Sequence, residues 1–264
     1  MKKKTAMTVL SREMLTPEIC SLVLQYAKGE EPGEVRPGQF AGLYTGEASM
    51  LLPRPISICR WEPSERALRF VFRIAGRGTA VLAQRRPGDT VEMLGILGNG
   101  YPMDALCGKK CLLLGGGIGI PPMLELAAAL HARCPETVTA VLGYRDHALF
   151  LKEEFESFAR VLVATEDGSC GTKGNVLDAV REQGVEAEAV CACGPLPMLR
   201  AVKQYAQEKG IPAWISLEER MACGIGVCLG CVTPTVQEDA HSRVKNARIC
   251  TEGPVFDARE VELR

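Results

Sequence analysis

The stretch CLLLGGGIGIPPMLELAAAL, residues 111–130, most constrains what this chain can fold into. It has the length and apolar character of a membrane span. Gly115, Gly116, Gly117, Gly119 and the pair Pro121–Pro122 break it, however, and it carries Glu125. A buried strand, a glycine turn and a helix opening on proline, where a missing N–H costs nothing, account for it better. The rhythm continues downstream. VTAVLGYR, RVLVATED, AVCACGP and PAWISLE read as strands, and LFLKEEFESFA, VLDAVREQG and LPMLRAVKQYAQEKG as helices. Alternation of this kind predicts an α/β domain, a parallel sheet with helices on both faces.

The N-terminal part reads differently. MTVLSREML, ICSLVLQYA, QFAGLYTG, ISICRWEP, ALRFVFRIAG and DTVEMLGILG are short runs bounded by Gly, Pro and charged residues. Six such runs predict a small antiparallel β barrel, and RPGQF and RPGDT place Pro-Gly turns before two of its strands. The last fifty residues are loop-like and rich in Cys and Gly, too short for a large core of their own. They are expected to hold together around something bound. The 264 residues therefore divide into a barrel domain (1–104), an α/β domain (105–214) and a small C-terminal domain (215–264).

Composition excludes several classes. A formal net charge of −1 implies no nucleic-acid partner. After MKKK the N-terminus meets Ser11, Arg12 and Glu13 before any signal-peptide apolar run is complete, so neither export nor a membrane partner is expected and the chain reads as cytoplasmic. Twelve cysteines without an export signal argue against a disulfide framework. Cys20, Cys59, Cys107, Cys111, Cys134, Cys170, Cys191 and Cys193 are dispersed and read mostly as small buried hydrophobes.

Gly115, Gly116, Gly117 and Gly119 lie where backbone can approach a ligand and a helix start can meet a phosphate. The following prolines depart from the G-x-G-x-x-G fingerprint, pointing to a different kind of pyridine-nucleotide site. GYRD (143–146), TEDGS (165–169) and CGPLPM (193–198) also follow strands, at the carboxyl edge where ligands bind. Cys193, Gly194 and Pro195 belong to this set. Cys193 reads either as a core residue or as one facing a nicotinamide. Glu166 and Asp167 are acidic where a 2′-phosphate would want Arg or Lys, which tilts the cofactor towards NAD(H) over NADP(H).

In the barrel part, Arg54-Pro55-Ile56-Ser57 is followed by Gly76, Gly78 and Thr79, which open a short helix. An Arg and a Ser on a strand facing helix-start N–H groups can clamp a diphosphate. The series R-P-x-S, G-x-G-T, G-G-G-x-G-x-x-P and C-G-P, in this order over residues 5–215, resembles the ferredoxin–NADP reductase superfamily. The resemblance implies FAD on the barrel and a pyridine nucleotide on the α/β domain. It implies that Arg54, Pro55, Ile56 and Ser57 hold the flavin and its diphosphate, that Val71, Phe72 and Arg73 lie along its adenosine-to-ribityl side, and that Gly78 and Thr79 donate to the diphosphate.

Cys223, Cys228 and Cys231 follow C-x4-C-x2-C, and Cys250 comes after eighteen further residues. This is the spacing of plant-type [2Fe–2S] sites. Gly224, Gly226 and Gly230 let the loop wrap and leave N–H groups for the sulfurs. A structural zinc site competes, although it favours paired C-x2-C knuckles and no histidine is near until His241. A redox disulfide between Cys228 and Cys231 leaves Cys223 and Cys250 unexplained. The segment TPTVQEDAHSRVKNAR between Cys231 and Cys250 reads as a hairpin or loop.

SLEERMACGIGVCLGCV followed by RICTEGPVFDAREVEL resembles, within that superfamily, the electron-transfer subunits of bacterial B-type, NAD-dependent dihydroorotate dehydrogenases, over the whole chain. The resemblance implies a partner, the FMN-containing catalytic subunit, in a heterotetramer of two plus two, serving pyrimidine biosynthesis. Electrons from dihydroorotate would reach NAD+ through a [2Fe–2S] cluster and FAD, and no residue of this chain would act on dihydroorotate itself. The alternative is a reductase subunit of another ferredoxin- or hydrogenase-linked NAD(P)H oxidoreductase.

Overall fold

Strands β1 (Lys4–Thr16), β2 (Ile19–Gln25), β3 (Phe40–Leu43), β4 (Arg54–Glu62), β5 (Ala67–Arg73) and β6 (Thr90–Leu97) close into an antiparallel barrel in the order β1-β2-β5-β4-β3-β6. The computed structural model describes residues 3–32, 34–134, 137–238 and 243–263. The first half of β1 alternates exposed and buried residues, the period of a half-buried strand. Its inward side chains join Leu22, Leu24, Leu68, Phe70 and Met93 in the barrel core. Register shifts in β1, β3 and β4 supply the bends that closure needs. The two Pro-Gly turns have one design. Gln39 N–H donates to Arg36 O at 3.2 Å and Asp89 N–H to Arg86 O at 3.0 Å, with Gly38 and Gly88 at φ +91° and +90°. These are type II turns, in which proline suits the first central position and glycine the second.

The second sheet has the order β10-β9-β8-β7-β11-β12-β15. Its parallel members are β7 (Cys111–Gly116), β8 (Val138–Tyr144), β9 (Arg160–Thr165), β10 (Thr172–Lys173), β11 (Ala189–Cys193) and β12 (Ala213–Ser216). Every residue of β7 and β11 is buried, as a strand covered on both faces requires. The intervening helices are α3 (Ile120–Arg133), α4 (Lys152–Glu156), α5 (Val176–Glu182) and α6 (Leu196–Lys209). Two short helices, α1 (Arg77–Leu82) and α2 (Met103–Leu106), precede the sheet. The segment 149–159, expected to be helical throughout, is helical only over α4, because Leu151 enters it in the left-handed conformation at φ +65°. Among the described residues no helix is long and apolar enough to cross a membrane.

The C-terminal residues do not stand apart. β13 (Val232–Pro234) and β14 (Asn246–Arg248) form an antiparallel pair, and β15 (Val255–Asp257) joins the large sheet antiparallel to β12. The tip between β13 and β14, with His241, lies outside the described residues. Cys231, Ile249 and Cys250 share one core with Phe40 and Leu97 of the barrel and with Val190 and Ile215 of the sheet. The expectation that this segment depends on a bound group is therefore amended. A continuous apolar core and a sheet edge also hold it.

Candidate functional site

The barrel wall opens where the R-P-x-S strand lies. β4 and β5 pair from Glu62↔Ala67 to Ile58↔Phe70 and then part. Arg54–Ser57 continue on β3 alone, and Val71–Arg73 on β2 alone. The two predicted segments thus form the lips of one gap. Arg54 to Ser57 are half-buried, whereas Val71 and Phe72 turn their side chains into two different cores and offer only main chain to the gap. The Arg54 side chain lies against Gly78, where a Cβ would overlap its guanidinium, and its Nη1 donates to the Leu52 carbonyl at 2.8 Å. The first helical bond of α1 runs from Ala80 N–H to Gly76 O at 3.0 Å, so the N–H groups of Gly78 and Thr79 stand ahead of the ladder. The Thr79 hydroxyl is engaged, accepting from Ala75 N–H at 3.0 Å and donating to Gly76 O at 3.0 Å. An arginine on a side-chain-free helix start, beside an open wall, fits a dinucleotide's diphosphate.

A cleft of about 650 Å³ lies between the β1–β2 turn of the barrel and the carboxyl ends of β7, β8 and β9. It sits beside β7, where the chain order reverses between β8 on one side and β11 on the other, the place for ligands in an open α/β sheet. Gly116, Gly117 and Pro195 line it, with Arg73 opposite, whose Nη2 stands 3.6 Å from where a Gly117 Cβ would be. Arg73 therefore reaches towards this cleft from the end of β5. The other glycines serve packing. A Cβ on Gly115 would press on Ile120, one on Gly119 would meet the Cys193 carbonyl, and one on Gly194 would meet Met198 Sδ at 2.9 Å. Of the two acidic residues singled out, Glu166 lines the cleft, while Asp167 accepts from Ser169 N–H at 2.9 Å. Thr16, Ile19 and Asn175 also line the cleft without any motif to announce them.

The Cys193 side chain is buried, 1% exposed. Burial, with the nearby Glu218 charge, pushes its thiol up to about 12 against a hydrogen bond with Ser216. It sits in the core at the end of β11 as a neutral thiol.

Cys223, Cys228, Cys231 and Cys250 come together from a loop and the residue after β14. Cys223 Sγ accepts from the N–H groups of Ile225 and Cys228, and Cys228 Sγ from Gly230 N–H, each at 3.4 Å. The Cys228 thiol acts on Cys223, the Cys231 thiol on Cys250, and Cys223 also on Cys250. Desolvation pushes Cys223 up, but the N–H groups of Ile225 and Cys228 and the Cys228 thiol outweigh it and hold it at about 6, a thiolate at neutral pH. Burial and the Cys231 thiol push Cys250 up to about 11. Among the described residues no three His, Cys, Asp or Glu side chains are grouped to hold a single ion. The C-x4-C-x2-C spacing with Cys250 suits two irons with two thiolates each better than one tetrahedral zinc, which favours paired C-x2-C knuckles. Gly224 of this loop packs on Leu94 and Leu97 of β6. β6 borders β3, which borders the Arg54–Ser57 lip, so the strand that the thiol loop packs against lies two strand spacings, about 10 Å, from that lip.

The fold and this site define a reductase of the ferredoxin–NADP reductase type extended by an iron–sulfur segment. Residues 113–204 match the oxidoreductase NAD-binding domain, and residues 218–262 match the iron–sulfur cluster binding domain of dihydroorotate dehydrogenase B. Over its whole length the chain is 41% identical to the whole of the electron transfer subunit of dihydroorotate dehydrogenase B (NAD(+)) from Geobacillus sp. (strain WCH70). It is 42% identical to that of Bacillus caldolyticus, over 97% of this chain and 98% of the relative. The chain belongs to this family of electron transfer subunits. The structure of an NADH-dependent reduced ferredoxin-NADP oxidoreductase superposes with a TM-score of 0.82 at 26% identity, covering 97% of this chain and 90% of that one. The ferredoxin NADP+ reductase of Neisseria gonorrhoeae shares the fold at a TM-score of 0.66 and 19% identity, over 83% of this chain and 94% of that one. The full-length relatives favour the dihydroorotate dehydrogenase reading over a ferredoxin- or hydrogenase-linked reductase.

Proposed function

We propose that this chain carries electrons from an FMN-containing catalytic subunit, which oxidises dihydroorotate, to NAD+, in a cytoplasmic heterotetramer of two plus two chains serving pyrimidine biosynthesis. The observation that carries this reading is the set of four cysteines in C-x4-C-x2-C…C spacing, held on a segment that packs against β6 of the open-walled barrel. In this assignment Cys223, Cys228, Cys231 and Cys250 hold a [2Fe–2S] cluster. Arg54–Ser57, the main chain of Val71 and Phe72, and the N–H groups of Gly78 and Thr79 hold FAD. Gly116, Gly117, Pro195 and Arg73 contact the nicotinamide nucleotide, while Gly115, Gly119, Cys193 and Gly194 shape its floor. When bound, the cluster supplies one-electron transfer, and FAD the conversion between single electrons and the hydride that NAD+ accepts.

The protein's own contribution is placement. The functional units 1–104, 105–214 and 215–264 each present one group, and the shared core keeps them in register. Around the thiols, Ile225, Val227 and Leu229 are 41%, 76% and 61% exposed, an apolar surface at the place where a partner must approach. The test is Cys223→Ser. Partner-dependent NAD+ reduction should be lost while NADH oxidation by a dye persists. Equal loss of both with FAD still bound would overturn the division of labour.

A further inference from the structure

Thr251 follows the fourth cysteine, and its hydroxyl is buried without a hydrogen-bond partner. Its position is tightly defined. Its backbone N–H donates to Arg248 O at 3.1 Å. Its side chain closes over Gly226, in the middle of the cysteine loop, with Cγ2 at 2.8 Å and Oγ1 at 3.4 Å from where a Gly226 Cβ would lie. Arg248 also holds that loop, donating through Nη1 to Gly226 O at 3.3 Å while its Nε binds Glu252 at 2.9 Å. The backbone already supplies donors to the sulfurs of Cys223 and Cys228. In the two segments that bear the cysteines, 223–231 and 248–252, Thr251 carries the only hydroxyl. A buried hydroxyl is normally satisfied, and this one belongs to the residue after Cys250 and lies over the middle of the loop that carries Cys223 and Cys228.

We propose that Thr251 is a positioning residue whose hydroxyl donates a hydrogen bond to a sulfur of the bound cluster, the Cys250 thiolate or a bridging sulfide, and so raises its reduction potential. The inference rests on the [2Fe–2S] assignment above. One-electron reduction adds negative charge that resides partly on the sulfurs, so a donor stabilises the reduced form more than the oxidised one. The proton stays on Oγ1, and no bond is made or broken.

The experiment is a redox titration of the intact chain followed by the electron paramagnetic resonance signal of the reduced cluster, in wild type, Thr251→Val, Thr251→Ala and Thr251→Ser. Thr251→Val and Thr251→Ala should shift the one-electron equilibrium about tenfold towards the oxidised form, a potential about 59 mV lower. Thr251→Ser should stay at the wild-type value. Unchanged potentials in Val and Ala overturn the inference, as does a Ser variant that shifts as far as Ala. Where Val and Ala fail to retain a cluster, retention by Ser alone supports the hydroxyl's role. Loss in Ser as well assigns the role to the γ-methyl and overturns it. Absence of any [2Fe–2S] signal in wild type would instead overturn the cluster assignment, so the two failures are distinguishable.

Discussion

Gly119 shows how a missing side chain serves the site from beneath. A Cβ there would run into the backbone carbonyl of Cys193, at the end of the neighbouring strand, and backbone cannot yield as a flexible side chain can. Gly119→Ala is expected to destabilise the protein by about 1–3 kcal/mol through overpacking and to weaken NAD(H) binding. Thermal melting and nucleotide titration check both, and an unchanged melting temperature would contradict the packing role. Gly115, Gly116, Gly117 and Gly119 are legible in the sequence as one loop. Their division of labour is not, because it depends on Met198, Cys193 and Arg73, which fold in from other elements. The same holds for Glu166 and Asp167. They are adjacent and alike in sequence, yet only Glu166 faces the cleft, because Ser169 N–H holds the Asp167 carboxylate in a turn.

At the scale of elements, α3 packs on the barrel through a shared apolar core and is tied to β4 by one carboxylate. Glu125 accepts the Trp61 N–H at 2.9 Å and lies 3.5 Å from Arg60, both on β4. Arg69 of β5 reaches Glu154 of α4 at 2.6 Å alongside it. Burial raises the Glu125 carboxyl above its ordinary range, against the lowering influence of the Trp61 N–H and Arg60. A carboxylate whose folded pKa is raised favours the folded state at low pH, and that contribution is lost as pH rises through the folded value. Wild type should therefore gain stability relative to Glu125→Gln as pH falls from neutrality into the upper carboxylate range, measured by paired melts. Glu125→Ala should cost about 1–3 kcal/mol at neutral pH, because the part-buried Trp61 N–H is left unpaired. A parallel pH dependence of wild type and Gln variant would refute the assignment. The sequence shows Glu125 only as a polar residue in an apolar run, since its partners are contributed by the barrel.

For the whole molecule, the decisive feature is that barrel, sheet and cysteine segment share a core. Asn99, after β6, donates to Val255 O at 2.7 Å and Glu252 O at 2.9 Å, tying the chain's return to the end of the barrel. Leu94 and Leu97 then floor the thiol loop. With its inner side fixed, the loop turns Ile225, Val227 and Leu229 outward. Val227→Asp is expected to weaken assembly with the catalytic subunit by about tenfold, or about 1.4 kcal/mol, while the flavin and iron content of the isolated chain are unchanged. Affinity measured by calorimetry decides, and wild-type affinity would place the partner elsewhere.

Alternation of strands and helices after residue 107 and six short runs before it determine the architecture from the sequence alone, and the C-x4-C-x2-C spacing the candidate cluster cysteines; the family is legible there as a resemblance carried by the motif series. These signals are local, because backbone periodicity, turn chemistry and ligand spacing act over a few residues. Only the tertiary structure decides that β4 and β5 part to open the barrel wall, that β15 closes the sheet edge, and that Thr251 stands over Gly226. Each of these depends on contacts between residues far apart in the chain, and a linear pattern does not encode which distant surface a side chain will meet.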